Sequence, residues 1–237
     1  MSAVRDRRRA ETVREIKEAA VAQLAEVGPG ALSLRAVARA VGMTVQSLYH
    51  YFDSRDALLT ALMDDAHHAL ADAVQAAADS SRGAPPAARR WAATSAFREW
   101  ALTHGAQFLL LYGTPVPGFA PVPDSGTGEA ALRLAAPFVD VVFDGWTPAE
   151  LAAVPLAPGA EAIDGAAPPQ IPLPAGALAY FLELRARMHG LVVLELVGHL
   201  HPLQEVAGAL YAGAMHHMTA EIDERRALAA GQPRSDR

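Results

Sequence analysis

Cysteine is absent from these 237 residues. That removes disulfides, thiol redox sensing and thiolate metal sites, and it suits a cytoplasmic protein. No apolar segment follows the N-terminal arginines, so no secretory signal is expected. A long hydrophobic run is also missing. The longest uncharged stretch, Trp100 to Pro123, is interrupted by His104, Gly105, Gly113, Pro115, Pro117, Gly118, Pro121 and Pro123. It reads as a buried helix entering a loop, not as a membrane span. The chain has no Gly-x-Ser-x-Gly elbow, no phosphate-cradling glycine loop and no His-Glu-x-x-His, which argues against an enzyme. Histidines do occur close together, as His67-His68, His199-x-His201 and His216-His217. Neighbours on a helix point about 100° apart, so each pair offers one metal at most two ligands. With no cysteine or ordered carboxylate set to complete a shell, neither a metal nor a cofactor is expected.

Lysine occurs once, at Lys17, leaving arginine to carry nearly all positive charge. The net charge of −6 conceals an asymmetry. Residues 1–62 hold nine Lys and Arg against seven Asp and Glu, whereas residues 63–237 hold eleven against nineteen. The basic excess therefore lies at the N-terminal end. It is small, so a nucleic-acid reader built from it would bind weakly as a monomer and gain affinity as a dimer.

What is present is most informative between Ser33 and Phe52. Leu34, Val37, Ala38 and Val41 form an apolar stripe at helical spacing, and Val45 and Leu48 form a second. Gly42 stands between them, where a tight inter-helix turn demands left-handed backbone. Thr44, Gln46, Ser47, Tyr49 and His50 fall on or beside the face the stripes leave unused, with no acid among them to repel phosphate. Asp53, Ser54 and Arg55 then supply an N-cap region for a further helix. This is the shape of a helix-turn-helix, whose second helix enters the DNA major groove. A plain helical hairpin would show the stripes without that polar set. Upstream, Val13, Ile16, Ala20, Val21 and Leu24 give a first helix one apolar face, and Gly28-Pro29-Gly30 ends it. Arg5, Arg7, Arg8 and Arg9 precede it and read as a solvated terminus in preference to a groove-reaching arm.

Residues 11–62 resemble the N-terminal DNA-binding domain of the TetR family of bacterial transcriptional regulators. The resemblance rests on Leu32-Ser33-Leu34-Arg35-Ala36-Val37-Ala38, on Val41-Gly42-Met43-Thr44, and above all on Leu48-Tyr49-His50-Tyr51-Phe52 with Ser54-Arg55-Asp56-Ala57-Leu58-Leu59. It implies that Thr44, Val45, Gln46 and Ser47 open the recognition helix. It further implies that Tyr49, His50 and Tyr51 contact bases or phosphates near its end, and that Ser33 touches phosphate. Arg55 stands where family members usually have lysine, keeping the charge and adding a forked donor.

The rest reads as a larger helical domain. A long helix is expected from Ser54 to about Ser80, then helices over 86–104, 107–112 and 130–143, the last kinked at Pro137. The proline-rich segment 152–174 reads as a mobile surface excursion. Leu178, Phe181, Leu182, Arg185, Met188, Val192 and Leu196 mark one C-terminal helix, and Leu203, Val206, Ala207, Leu210, Ala214, Met215 and Met218 a second. Two such helices pack as an isologous four-helix bundle in a homodimer, or serve as domain core, or do both with different faces. Gly105 to Gly118, with Met188-His189-Gly190-Leu191 and Leu194-Glu195-Leu196, further resembles an actinobacterial-type TetR subgroup with a Trp-His-Gly-like C-terminal domain. Here Arg185 and Ala186 stand where a tryptophan is often found.

The expected fold is thus all-α: a three-helix DNA-binding domain over 1–62, a ligand-sensing and dimerisation domain over 63–226, and a disordered tail over 227–237. Trp100, His104, Phe108, Tyr112, Phe138, Phe143, Met188, His189 and Glu195 are the candidates for a sensor pocket. Each alone reads as core, and only their concentration beside a DNA reader suggests a site for a largely apolar small-molecule effector. The expected partners are double-stranded operator DNA, a second copy of the chain and that effector, with no membrane. A protein-interaction adaptor, docking through the acidic second domain, is the rival in class.

Overall fold

Helical periodicity runs through nearly every described segment, and no strand occurs among the residues that this computed structural model describes, 2–120, 127–165 and 167–231. α1 (Ser2–Val27) buries Ile16, Ala20 and Leu24 completely or nearly so. It stops at Gly28, and a 3-10 turn at Pro29–Ala31 leads into α2 (Leu34–Ala40) and α3 (Val45–Tyr49). α4 (Arg55–Ser80) follows, its first turn capped by the Ser54 hydroxyl, which accepts from the Ala57 N–H at 3.0 Å. α5 (Pro86–Thr103), α6 (Gly105–Tyr112), α7 (Thr127–Val142), α8 (Pro148–Ala152), α9 (Ala175–Leu196) and α10 (Ala207–Gly231) complete the chain. Pro137 lies inside α7, which continues through it.

The chain divides into two compact units, and the division differs from the expected one. The first unit is Met1–Ala69 with Thr103–Ala130, and the second is Leu70–Leu102 with Ala131–Arg237. This grouping places the division inside α4. The segment containing α6, expected in the sensor domain, packs with the N-terminal helices instead. Its Leu110 joins the core formed by Ile16, Leu24, Val37, Leu48, Phe52 and Leu58. Each of these large apolar side chains contributes about 1.5–3 kcal/mol by leaving water, which is how such short helices as α2 and α3 hold their places.

In the second unit Phe97 is fully buried and sits between Phe138, in an edge contact at 5.9 Å, and His189 at 4.6 Å. Arg90, 4% exposed, joins three elements. It donates to the Val141 carbonyl near the end of α7 and pairs with Asp223 of α10 at 2.7 Å. A cation at a helix C-terminus complements the partial negative charge there.

The structure departs from the sequence reading at three further places. Segment 152–174 is anchored, with Val154, Ile171 and Leu173 each under 9% exposed and a 3-10 turn at Glu161–Ile163. α8 was not expected at all, although Thr147 and Glu150 form a full capping box with Pro148 at the first helical position. α10 runs to Gly231, past the expected start of the tail at 227. The remainder of the expected tail lies outside the described residues.

Candidate nucleic-acid interface

The sequence Val41-Gly42-Met43-Thr44 makes the turn between α2 and α3. Gly42 adopts φ 71°, and a Cβ built there would meet nothing within 4 Å. Glycine is required by backbone conformation, not by lack of space. Met43 closes the turn, its N–H donating to the Ala38 carbonyl at 2.9 Å. Thr44 caps α3: its hydroxyl accepts from the Ser47 N–H at 3.1 Å and lies 2.8 Å from the Ser47 hydroxyl. Ser33 caps α2, accepting from the Ala36 N–H, while its own N–H donates to the Gln23 side chain at 3.1 Å.

The nine residues expected at DNA therefore fall into distinct groups. Gln46, Tyr49 and His50 lie exposed on α3 and its C-cap, Tyr49 at 42%. Thr44 is exposed, but its hydroxyl is committed to the cap, as those of Ser47 and Ser33 are to local bonds. Val45 and Tyr51 are half-buried and pack against the core of the first unit. Leu48, fully buried, is the knob that fixes α3 to that core.

Arg55 occupies an unexpected position. Its guanidinium donates to three backbone carbonyls, Leu32 at 3.0 Å, Pro29 at 2.7 Å and Gly30 at 3.0 Å. These donors clamp the connection between α1 and α2, so its principal contacts are structural. Exposed positive charge is supplied instead by Arg35 and Arg39 on α2, which make no ion pair among the described residues. Sequence reasoning passed over both, although each stands off the Leu34-Val37-Ala38-Val41 stripe. The terminal arginines are exposed, as a solvated terminus would be, but they belong to α1, and Arg9 donates to the His50 carbonyl at 3.2 Å with its guanidinium 4.9 Å from the Tyr51 ring centre.

The nine candidate sensor residues are divided between the two units. His104, Phe108 and Tyr112 belong to the first unit, where Phe108 and Tyr112 are 5.0 Å apart and Tyr112 meets His67 edge-on at 6.0 Å. In the second unit, Phe138 and His189 converge on Phe97. Phe143 pairs with Trp146, and Trp100 and Met188 are buried. Glu195 is held by Arg98 through two bonds of 2.8 and 2.5 Å and is 7% exposed, a buried pair that needs no ligand. Phe97 and Arg98, which organise these contacts, are not among the pocket candidates, since one more aromatic or arginine on α5 carries no distinguishing spacing. His189 Nδ1 lies 2.9 Å from the Arg185 carbonyl. Burial, aided by the nearby Arg185 charge, lowers its pKa to about 4. A cavity of about 530 Å³ lies in the first unit between α1, α4 and α6, lined by Val13, Lys17, Val21, Leu62, Asp65 and Gln107 among others, and none of the nine candidates lines it. No group of three or more His, Asp or Glu among the described residues could hold a metal, and no described helix is long and apolar enough to cross a membrane.

Residues 16–62, which contain the helix-turn-helix, match the family described as bacterial regulatory proteins, tetR family. Residues 91–218, more than half of the chain, match the tetracyclin repressor-like C-terminal domain. The chain belongs to the TetR family. Its members are DNA-binding transcriptional regulators, not enzymes, and they usually act as dimers on operator DNA. The HTH-type transcriptional regulator Rv1816 of Mycobacterium tuberculosis is 42% identical over 128 residues, 52% of either chain. The chain thus spans about half the length of the curated relatives it matches. The crystal structure of the regulatory protein SCO4313 is 34% identical, with a TM-score of 0.73 over 91% of this chain and 98% of that one. A Rhodococcus protein of unknown function is 26% identical, with a TM-score of 0.59 over 86% of this chain and 94% of the other.

Proposed function

We propose that this TetR-family regulator is a cytoplasmic homodimeric repressor that leaves its operator when a small, largely apolar effector binds. The observation that carries the reading is the exposed polar face of α3. Gln46, Tyr49 and His50 are unburied hydrogen-bonding groups on a helix whose opposite face is locked down by Leu48. Gln46 offers the paired donor and acceptor that suits adenine, while Tyr49 and His50 reach bases or phosphates near the helix end. Arg35 and Arg39 supply phosphate contacts, and Ser33, Thr44, Val45, Ser47, Tyr51 and Arg55 hold the reading face in register, with Ser33 at the phosphate edge.

Dimerisation is supported by an apolar stripe left uncovered on α9. Leu182, Leu194 and Val197 are 45%, 39% and 42% exposed and recur at helical spacing with exposed Ala186 and Gly190. Leu210 of α10 is likewise 45% exposed. Burying these faces against a second copy produces the four-helix arrangement, and half-sites one turn of DNA apart require the two copies of α3 to stand roughly 34–36 Å apart. The effector site is best supported in the second unit, where Phe138 and His189 already meet at Phe97. α4 contributes residues to both units, so an effector that shifts it alters the spacing of the two reading helices. Linkage then requires DNA to weaken effector binding by the same factor.

Electrophoretic mobility shift with DNA upstream of its own gene tests the core of this reading. A salt-sensitive, sequence-selective shift carrying two protomers per site is expected. An adaptor would give no selective shift, and a single protomer at saturation would overturn the dimer. Equal effector affinity with and without operator would overturn the release mechanism.

A further inference from the structure

Arg9 continues the buried stripe of α1, with Val13, Ile16, Ala20 and Leu24 at intervals of four, three, four and four residues. A residue in that register faces the helices that α1 covers. At the N-terminal extension of the stripe the covered feature is the end of α3. Arg9 donates to the carbonyl of His50, the C-cap of α3, at 3.2 Å, and its guanidinium stands 4.9 Å from the centre of the Tyr51 ring. At the end of this five-residue helix the carbonyls of Ser47 and Leu48 accept from the N–H groups of His50, Tyr51 and Phe52, and the carbonyl of the C-cap His50 accepts from Arg9. A cation there complements the partial negative charge of that end and stacks on the ring that follows. Arg5, Arg7 and Arg8, exposed as Arg9 is, have no such contact with α3 among the described residues.

We propose that Arg9 is a positioning residue for sequence recognition, a clamp from outside the helix-turn-helix that sets the angle at which α3 presents Gln46, Tyr49 and His50. The inference rests on the reading of α3 as the recognition helix. It separates Arg9 from an ordinary phosphate contact, because a clamp acts on selectivity while a phosphate contact acts equally on all DNA.

The test compares wild type, Arg9→Ala, Arg9→Gln and Arg9→Lys in full-length protein, on an operator fragment that wild type selects and on a scrambled duplex, across a salt series. Arg9→Ala is expected to lose about tenfold in operator affinity, with scrambled-duplex affinity and the salt slope unchanged. Arg9→Gln, which keeps a neutral donor but no charge, is expected to recover part of the selectivity. Arg9→Lys should recover less than full selectivity, since its compact ammonium has no plane to stack. Thermal melting of each variant within a few degrees of wild type keeps the comparison on recognition. Equal losses on both duplexes, with a salt slope lower by about one and full rescue by Arg9→Lys, would make Arg9 a phosphate contact and overturn the proposal. Unchanged operator affinity in Arg9→Ala would overturn it too, leaving the recognition helix intact. No selective binding by wild type would overturn the DNA reading, and this inference with it.

Discussion

The helix-turn-helix and the second unit of this chain hold their polar and aromatic groups in opposite ways. In the first, a short apolar stripe anchors each helix and the groups left off it point into solvent, as Gln46, Tyr49 and His50 do on α3. In the second, the groups that attract notice in the sequence are spent inside, Phe138 and His189 on Phe97 and Glu195 on Arg98. Exposure follows from having a stripe short enough to leave most of a helix free. On the proposed reading, the recognition surface is finished in the free protein, whereas an effector would have to enter a packed interior and displace existing contacts.

If that contrast is real, the largest effect comes from opening the packed interior. Phe97→Ala removes the ring shared by Phe138 and His189 and should cost about 3–5 kcal/mol. Denaturant unfolding measures this, and a loss below about 1 kcal/mol would mean the cluster is already loose enough to admit a ligand. Acid comes next. His189 has its pKa lowered to about 4, so between pH 6.5 and 4 the unfolded chain binds a proton that the folded one refuses. Stability should fall as pH drops through that window, by about 3 kcal/mol at most. His189→Gln should flatten the thermal melting profile there.

Two substitutions probe the first unit with smaller effects. Arg55→Met strips three carbonyls of their donor and should cost about 1–3 kcal/mol of stability. If instead it leaves melting unchanged while weakening all DNA alike, Arg55 is a phosphate contact in spite of its internal bonds. Gly42→Ala places a Cβ in open space at φ 71° and should cost about 1–2 kcal/mol, wholly from backbone strain.

The first unit was legible because its signals are local. Gly42, the cap at Thr44 and the spacing Leu34-Val37-Ala38 each act within one or two turns, and the observed helices begin and end where those residues direct. Where distant residues decide, sequence fell short. Nothing within ten residues of Arg55 reveals that it will reach the carbonyls of Pro29, Gly30 and Leu32. Leu110 likewise gives no local sign that α6 belongs with α1. α8 is a different case, since Thr147-Pro148-Ala149-Glu150 held a full start signal that the surrounding prolines and alanines obscured.

The central claim is that the exposed face of α3 reads bases in two symmetry-related half-sites. Selection of bound duplexes from a randomised pool, by wild type and by Gln46→Ala, tests it most directly. The account predicts an inverted-repeat motif for wild type. It predicts that Gln46→Ala relaxes preference at one position in each half-site, by about 1–3 kcal/mol, leaving the other positions and the melting temperature unchanged. The same motif, equally sharp at every position, from both proteins would contradict it.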